Sequence, residues 1–190
     1  MAMSTAGAHA LDEGRVCLLV TGPPGAGKST TTRHLAQALS RSALIPGDAV
    51  AGFVARGYVW PLGEPADQAA HQVALCNDNL CALAANFMTA GFTPVIDWVV
   101  PDGDQLAVYR RALGQRLRLI VLDPGTQTCV ARDRDRPAQE QFAFDNYSGL
   151  RASMWEGFGG DGWWLDTSEL TVDATIERML HEADERAVLR

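Results

Sequence analysis

Lysine is almost absent from this chain: Lys28 is the single lysine among 16 basic residues, the other fifteen being arginine. Long apolar runs are absent as well. No segment approaches the roughly 18 continuous apolar residues that a membrane span needs, and the opening MAMSTAGAHALDEG has neither a basic start nor an apolar stretch of the kind that makes a secretory signal. The four cysteines Cys17, Cys76, Cys81 and Cys129 contain no CxxC pair. They are expected to be reduced core residues of a cytoplasmic chain rather than a disulfide framework or a zinc site. Excess positive charge is lacking too, since the net charge is −7 and the pI about 5.0. A protein held to a polyphosphate backbone normally shows a basic face, so the charge argues against nucleic acid as a partner.

What remains is an α/β text of 190 residues, the length of one ordinary domain. Residues 1–14 are expected to be a flexible tail and residues 15–190 a single domain. Short apolar runs alternate with longer amphipathic ones, the pattern of a parallel sheet covered on both faces. The expected strands are RVCLLV, SALIPGD, TPVIDWVV, LRLIVLD and WWLD. Helices are expected after each of the first four, with another closing the chain. A further helix should start near Asp48 and break before YVWPLGEP. Residues 137–162 look irregular, and a mobile covering segment over roughly 132–160 is the expectation there.

The most informative stretch is GPPGAGKST, between the first strand and the first helix. Gly22, Pro23, Pro24, Gly25, Ala26, Gly27, Lys28, Ser29 and Thr30 satisfy the GxxxxGKS phosphate-loop pattern in the strand–loop–helix context that gives it meaning. Glycines let the backbone wrap a phosphate chain, and successive N–H groups with the helix N-terminus form an anion site. Lys28 offers a slender point charge to the outer phosphates, for which a planar guanidinium is poorly shaped. Ser29 can supply a hydroxyl to magnesium. The single lysine also rules out NKxD, the guanine-reading motif, and a DxxG switch is missing.

Aspartates end four of the expected strands: Asp48, Asp97, Asp123 and Asp166. In an open parallel sheet, ligands gather at those ends. Asp48 is either the N-cap of the following helix or a general base for an attacking hydroxyl. Asp97 interrupts an apolar strand, where an unpaired charge is costly, and is expected to meet substrate, water or magnesium. Asp123 and Asp166 read as turn residues. Arg56, two helical turns beyond Asp48, could face the same cleft and bind a substrate group. Asn77 and Asn79, beside Asp78, could line an acceptor pocket, with Trp60 and Trp98 as an aromatic wall, while His71 reads as packing or surface. In ARDRDRP, Arg132 and Arg136 share a helix face. They either belong to a solvated charged helix with Asp133 and Asp135, or cover the nucleotide and neutralise the transferred phosphoryl group.

In this order and spacing, GPPGAGKS, PGD, VID, RxxxR and LDTSELTVDATIERML resemble the P-loop small-molecule kinases, the group that holds gluconate kinase, shikimate kinase, adenylate kinase and chloramphenicol phosphotransferase. IDWVVPDG most resembles the antibiotic phosphotransferases among them. The resemblance implies a three-layer P-loop NTPase fold with a five-stranded parallel sheet, ATP and Mg2+ as cofactors, and phosphoryl transfer to a hydroxyl of a small-molecule acceptor, metabolite or antibiotic. By position it implies Asp48 as acceptor-activating base, Arg132 on the base side and Arg136 on the phosphate side, with Thr167 in a turn bordering adenine. Lys28, Ser29 and Asp97 complete the expected site, the last two as metal ligands. The chain would act as a monomer or homodimer. A regulatory ATPase and a polynucleotide end kinase stand as alternatives.

Overall fold

The computed structural model describes residues 10–12, 14–135 and 144–190. Five strands form one all-parallel sheet: β1 (Cys17–Thr21), β2 (Ser42–Pro46), β3 (Thr93–Asp97), β4 (Leu117–Leu122) and β5 (Trp163–Leu165), in the order β2-β3-β1-β4-β5. The register places Leu18 beside Val95, Leu19 beside Leu119 and Ile120 beside Trp163. Seven helices are described: α1 (Lys28–Ala38), α2 (Gly47–Ala51), α3 (Ala66–Thr89), α4 (Gly103–Leu113), α5 (Thr126–Arg134), α6 (Tyr147–Phe158) and α7 (Val172–Arg186).

Strand alternation divides the core in two. Cys17 and Leu19 of β1, Ile96 of β3 and Leu117, Leu119 and Val121 of β4 pack on one face with α2, α3, α4 and α6. Leu18 and Val20, Val95, and Ile120 and Leu122 pack on the other with α1, α5 and α7. All four cysteines are free and buried, and burial raises the thiol pKa of each. No described helix is long and apolar enough to cross a membrane.

Two expectations need correction. Within the proposed tail, Leu11 and Asp12 are buried. Thr93 Oγ1 donates to the Leu11 carbonyl (2.6 Å), and Asp12 accepts from the Ser40 N–H (3.1 Å), so these residues are stitched to the start of β3 and to the segment before β2. The apolar side chain of Leu11 and the capping capacity of Asp12 outweigh the small, polar look of the preceding text.

The second correction concerns residues 147–158, expected to be irregular, which form α6. Asn146 caps it by accepting from Gly149 N (3.2 Å), and Tyr147, Met154 and Phe158 are buried. Its glycines concealed it. A Cβ on Gly157 would lie 2.4 Å from Gly103 N, and one on Gly149 would lie 2.3 Å from the Asn146 side chain. Helix propensity is given up at both places to let backbone and cap approach closely.

Candidate active site

Parallel strands deliver the loops after β1, β2 and β3 to one edge of the sheet, where a cleft of about 250 Å³ opens. Its floor is the glycine loop. Gly25 has φ +76, and a Cβ there would meet the Cys129 carbonyl of α5 at 2.2 Å, so only glycine permits this path. Gly27 is the N-cap of α1 and no side chain caps that helix, leaving its first-turn N–H groups to serve an anion. Lys28 Nζ donates to the carbonyls of Gly22 (3.0 Å) and Pro23 (3.1 Å), which holds the ammonium at the loop. Pro24, Gly25, Gly27, Lys28 and Ser29 line the cleft, while Gly22, Pro23 and Ala26 are buried in the loop behind them and Thr30 is exposed on α1.

Asp48 and Asp97 line the same cleft as Lys28. The register sets Pro46 and Val20 beside Asp97, so the ends of β1, β2 and β3 converge there. Asp48 is not the N-cap of its helix. Pro46 holds that place, and Asp48 sits in the first turn of α2 with an exposed side chain. Its charge, after burial, helps raise the pKa of Tyr58 and, again after burial, that of Cys76 to about 11, which locates the carboxylate beside both.

Trp98 follows Asp97 and stands between the cleft and a second pocket of about 240 Å³. A Cβ on Gly47 would fall 2.1 Å from its ring, so the glycine of PGD exists to let the α2 backbone lie on the indole. Asn77, expected at the acceptor pocket, is fully buried instead. Its Oδ1 accepts from Trp98 Nε1 (2.9 Å) and Tyr109 OH (2.8 Å), and its Nδ2 donates to Gln105 Oε1 (3.2 Å). Asn77 thereby fixes two cleft residues, Trp98 and Gln105, without reaching the cleft. Its neighbour Asn79 does line the second pocket.

Other expected residues lie elsewhere. Arg56 is exposed and absent from the lining of both pockets. α2 stops at Ala51 and turns at Gly52, so the two-turn helical spacing that would have brought Arg56 beside Asp48 does not exist. Arg132, at the end of α5, reaches the glycine loop: its Nη1 is 3.7 Å from where a Gly27 Cβ would stand. Thr167 is buried beyond β5, and its hydroxyl has no hydrogen-bond partner among the described residues. It does not line either pocket. Arg136 lies outside the described residues, as does the middle of the covering segment at 136–143. His71 is exposed on α3.

Two residues with clear work, Arg151 and Gln72, escaped notice in the sequence, and the role of a third, Asp133, was missed. Arg151 of α6 grips Asp123 at the end of β4 through Nε (2.8 Å) and Nη2 (2.7 Å), so Asp123 anchors α6 and is more than a turn residue. Gln72 accepts from Val59 N–H (2.9 Å) and donates to the Gly57 carbonyl (2.7 Å), pinning to α3 the loop that carries Tyr58 and Trp60. Asp133, which one of the two readings of ARDRDRP placed on a solvated charged helix, is buried and accepts from Tyr147 OH (3.1 Å), joining α5 to α6. Asp166 is a turn residue as expected: it accepts from Ser168 N–H (2.9 Å), and bonds to Ser168 hold its pKa down.

The residues present suit a polyphosphate with magnesium. The uncapped α1 N-terminus, the glycine path and Lys28 fit the phosphates, and the Ser29 hydroxyl and the Asp97 carboxylate offer hard oxygens at the same cleft. Among the described residues no cluster of three His, Cys, Asp or Glu could hold a metal alone.

Comparison with curated proteins gives no match. Among solved structures, the chain is similar to a sugar kinase from Janibacter sp. (TM-score 0.63, 19% identity, covering 87% of this chain and 92% of that one). It is also similar to shikimate kinase from Acinetobacter baumannii in complex with shikimate (0.59, 20%, 88% and 92%) and to the tunicamycin resistance protein of Deinococcus radiodurans (0.58, 17%, 86% and 92%). At these identities the likeness is one of fold: a three-layer P-loop NTPase. Residues 17–154 match the family described as AAA domain, a span that includes the glycine loop, Asp48, Asp97 and Arg132, and the chain belongs to that P-loop family.

Proposed function

We propose that the protein is an ATP-dependent phosphotransferase that moves the terminal phosphoryl group to a hydroxyl of a small molecule. The observation that carries this reading is the meeting of Lys28, Ser29, Asp48 and Asp97 in one cleft. A phosphate loop alone suits any nucleotide-binding protein, whereas a carboxylate on a separate element, facing that loop, suits a group whose task is an acceptor's proton. Bound nucleotide with magnesium supplies the electrophilic phosphorus. The chain's own residues do the positioning: loop amides and Lys28 bind phosphate oxygens, and Ser29 and Asp97 orient the cation. Asp48 accepts the proton of the attacking hydroxyl. Arg132, beside the glycine loop, is suited to neutralising charge there. The acceptor approaches from the side of Trp98 and Tyr58, and the apolar walls exclude the water that would otherwise compete for the phosphoryl group.

Among the described residues Lys28 is the one cation that lines the cleft, which favours a small acceptor over a polynucleotide strand. The test is a screen for ATP-dependent mass gain of one phosphoryl group across sugars, nucleosides and antibiotics, with Asp48→Asn and Lys28→Ala as controls. We expect Asp48→Asn to lower turnover about 10²- to 10⁴-fold with nucleotide binding kept, the span general-base removal commonly costs. If no acceptor gains a phosphoryl group and ATP hydrolysis persists in Asp48→Asn, the phosphotransferase reading gives way to an ATPase.

A further inference from the structure

From the walls of the second pocket we infer that the acceptor is an uncharged alcohol carried on an apolar, ring-bearing body. The inference rests on the phosphotransferase reading for which side of the cleft receives the acceptor, but its physical content is a binding preference. The pocket lies between α2, the loop after it and α3, and it shares Tyr58, Pro61, Val73 and Trp98 with the cleft. It is therefore the recess that opens beside Asp48. Its remaining wall is Val50, Ala51, Phe53, Val54, Val59, Leu75 and Cys76, and among the described residues its polar side chains are Gln72, Asn79 and the Tyr58 phenol, the Trp98 indole N–H being given to Asn77. Gln72 is already committed to Val59 and Gly57.

Two features decide the class. No cation among the described residues lines this pocket, and the one arginine that the chain's spacing offered, Arg56, stays outside it. Asp48 lies near Tyr58 and Cys76 of its wall, and both Asp48 and Asp97 line the adjoining cleft. An acceptor bearing a carboxylate, sulfate or phosphate would lose its hydration without gaining a counter-charge and would meet like charge at the entrance. A sugar-like polyol would lose hydrogen bonds to water that these walls cannot replace. An aromatic or alicyclic body suits them. Tyr58, Trp98 and Phe53 give the pocket three aromatic lining residues, and at the cleft Trp60, Leu62 and Phe144 extend the apolar rim. Trp60 and Leu62 are 44% and 69% exposed, surface that a bound apolar body would cover.

The test is equilibrium binding to the full chain, by tryptophan fluorescence and saturation-transfer NMR, of three probes: a biphenylmethanol bearing a carboxamide, the same compound bearing a carboxylate, and inositol. The carboxamide should bind at least tenfold more tightly than the carboxylate and inositol. Val73→Lys, which places an ammonium in the shared wall, should narrow or reverse the first ratio. To separate charge from any change in packing, Val54→Arg in the same pocket gives a second reading of the same quantity, with circular dichroism to establish folding. Equal or tighter binding of the carboxylate or of inositol to the wild-type protein overturns the inference, as does a failure of all three to bind. Phosphoryl transfer to any probe is scored separately by mass, so a protein that binds the carboxamide selectively but never phosphorylates it sinks the catalytic reading while keeping the site.

Discussion

Asn77 shows how a single side chain can be noticed and misplaced. A polar residue interrupting the apolar face of a helix signals a committed hydrogen bond, but sequence does not say with whom. In the structure the partners are Trp98, Tyr109 and Gln105, two of which line the cleft. Asn77→Ala orphans a buried indole N–H and a buried phenol together. Each unsatisfied donor costs about 1–3 kcal/mol, so urea denaturation should report a loss of at least about 2 kcal/mol, with the slope of the transition unchanged. A loss below about 0.5 kcal/mol would mean that the network contributes little beyond packing. Lys28 and Asp48 were legible because their spacing to a strand end and to glycines is local, whereas Arg56 was misplaced because its position depended on a helix that ends five residues earlier, at Ala51.

Among the elements, α6 was the least legible and is among the most specifically packed. Its text, YSGLRASMWEGF, offers weak amphipathicity and two glycines. What makes it a helix is tertiary: the Asn146 cap, the Arg151 grip on Asp123, and the contact of Gly157 with Gly103 at the start of α4. The strands and the long helix α3 were readable because their apolar periodicity is carried within each segment. Gly157→Ala separates the local and tertiary accounts by sign. On an exposed helix face the change ordinarily stabilises by about 0.4–1 kcal/mol. Here the added methyl falls 2.4 Å from backbone that cannot swing away, so the expected outcome is a destabilisation of about 1–3 kcal/mol by overpacking. A rise in the denaturation midpoint would show that α6 does not sit on α4 as described. Arg151→Ala should cost less, about 1 kcal/mol or under, because that guanidinium is 41% exposed and solvent screens the pair.

For the whole molecule, the five parallel strands were legible as apolar runs between helices, but their order was not, since β2-β3-β1-β4-β5 is set by pairing between segments far apart in sequence. That order has a functional consequence. It seats β1 between β3 and β4, so the glycine loop stands beside Asp97 and is packed from below by α5 through Gly25 and Cys129. Nucleotide held by the loop would therefore couple to both core faces at once and should stabilise the fold as a unit. At a free concentration 100 times the dissociation constant, a ligand that binds only the folded state contributes about 2.7 kcal/mol. For a chain of this size that corresponds to a rise in melting temperature of about 5–10 °C. A non-hydrolysable ATP analogue with magnesium should produce such a rise in the wild-type protein and a much smaller one in Lys28→Ala at the same concentration. The variant's own melting temperature should stay close to wild type, since the hydrogen bonds from Lys28 to the Gly22 and Pro23 carbonyls are only partly buried. Equal shifts in both proteins would place nucleotide binding outside the glycine loop. A shift in the variant restored by raising analogue concentration about 100-fold would instead measure the lysine's contribution to affinity, about 2.7 kcal/mol by the same relation.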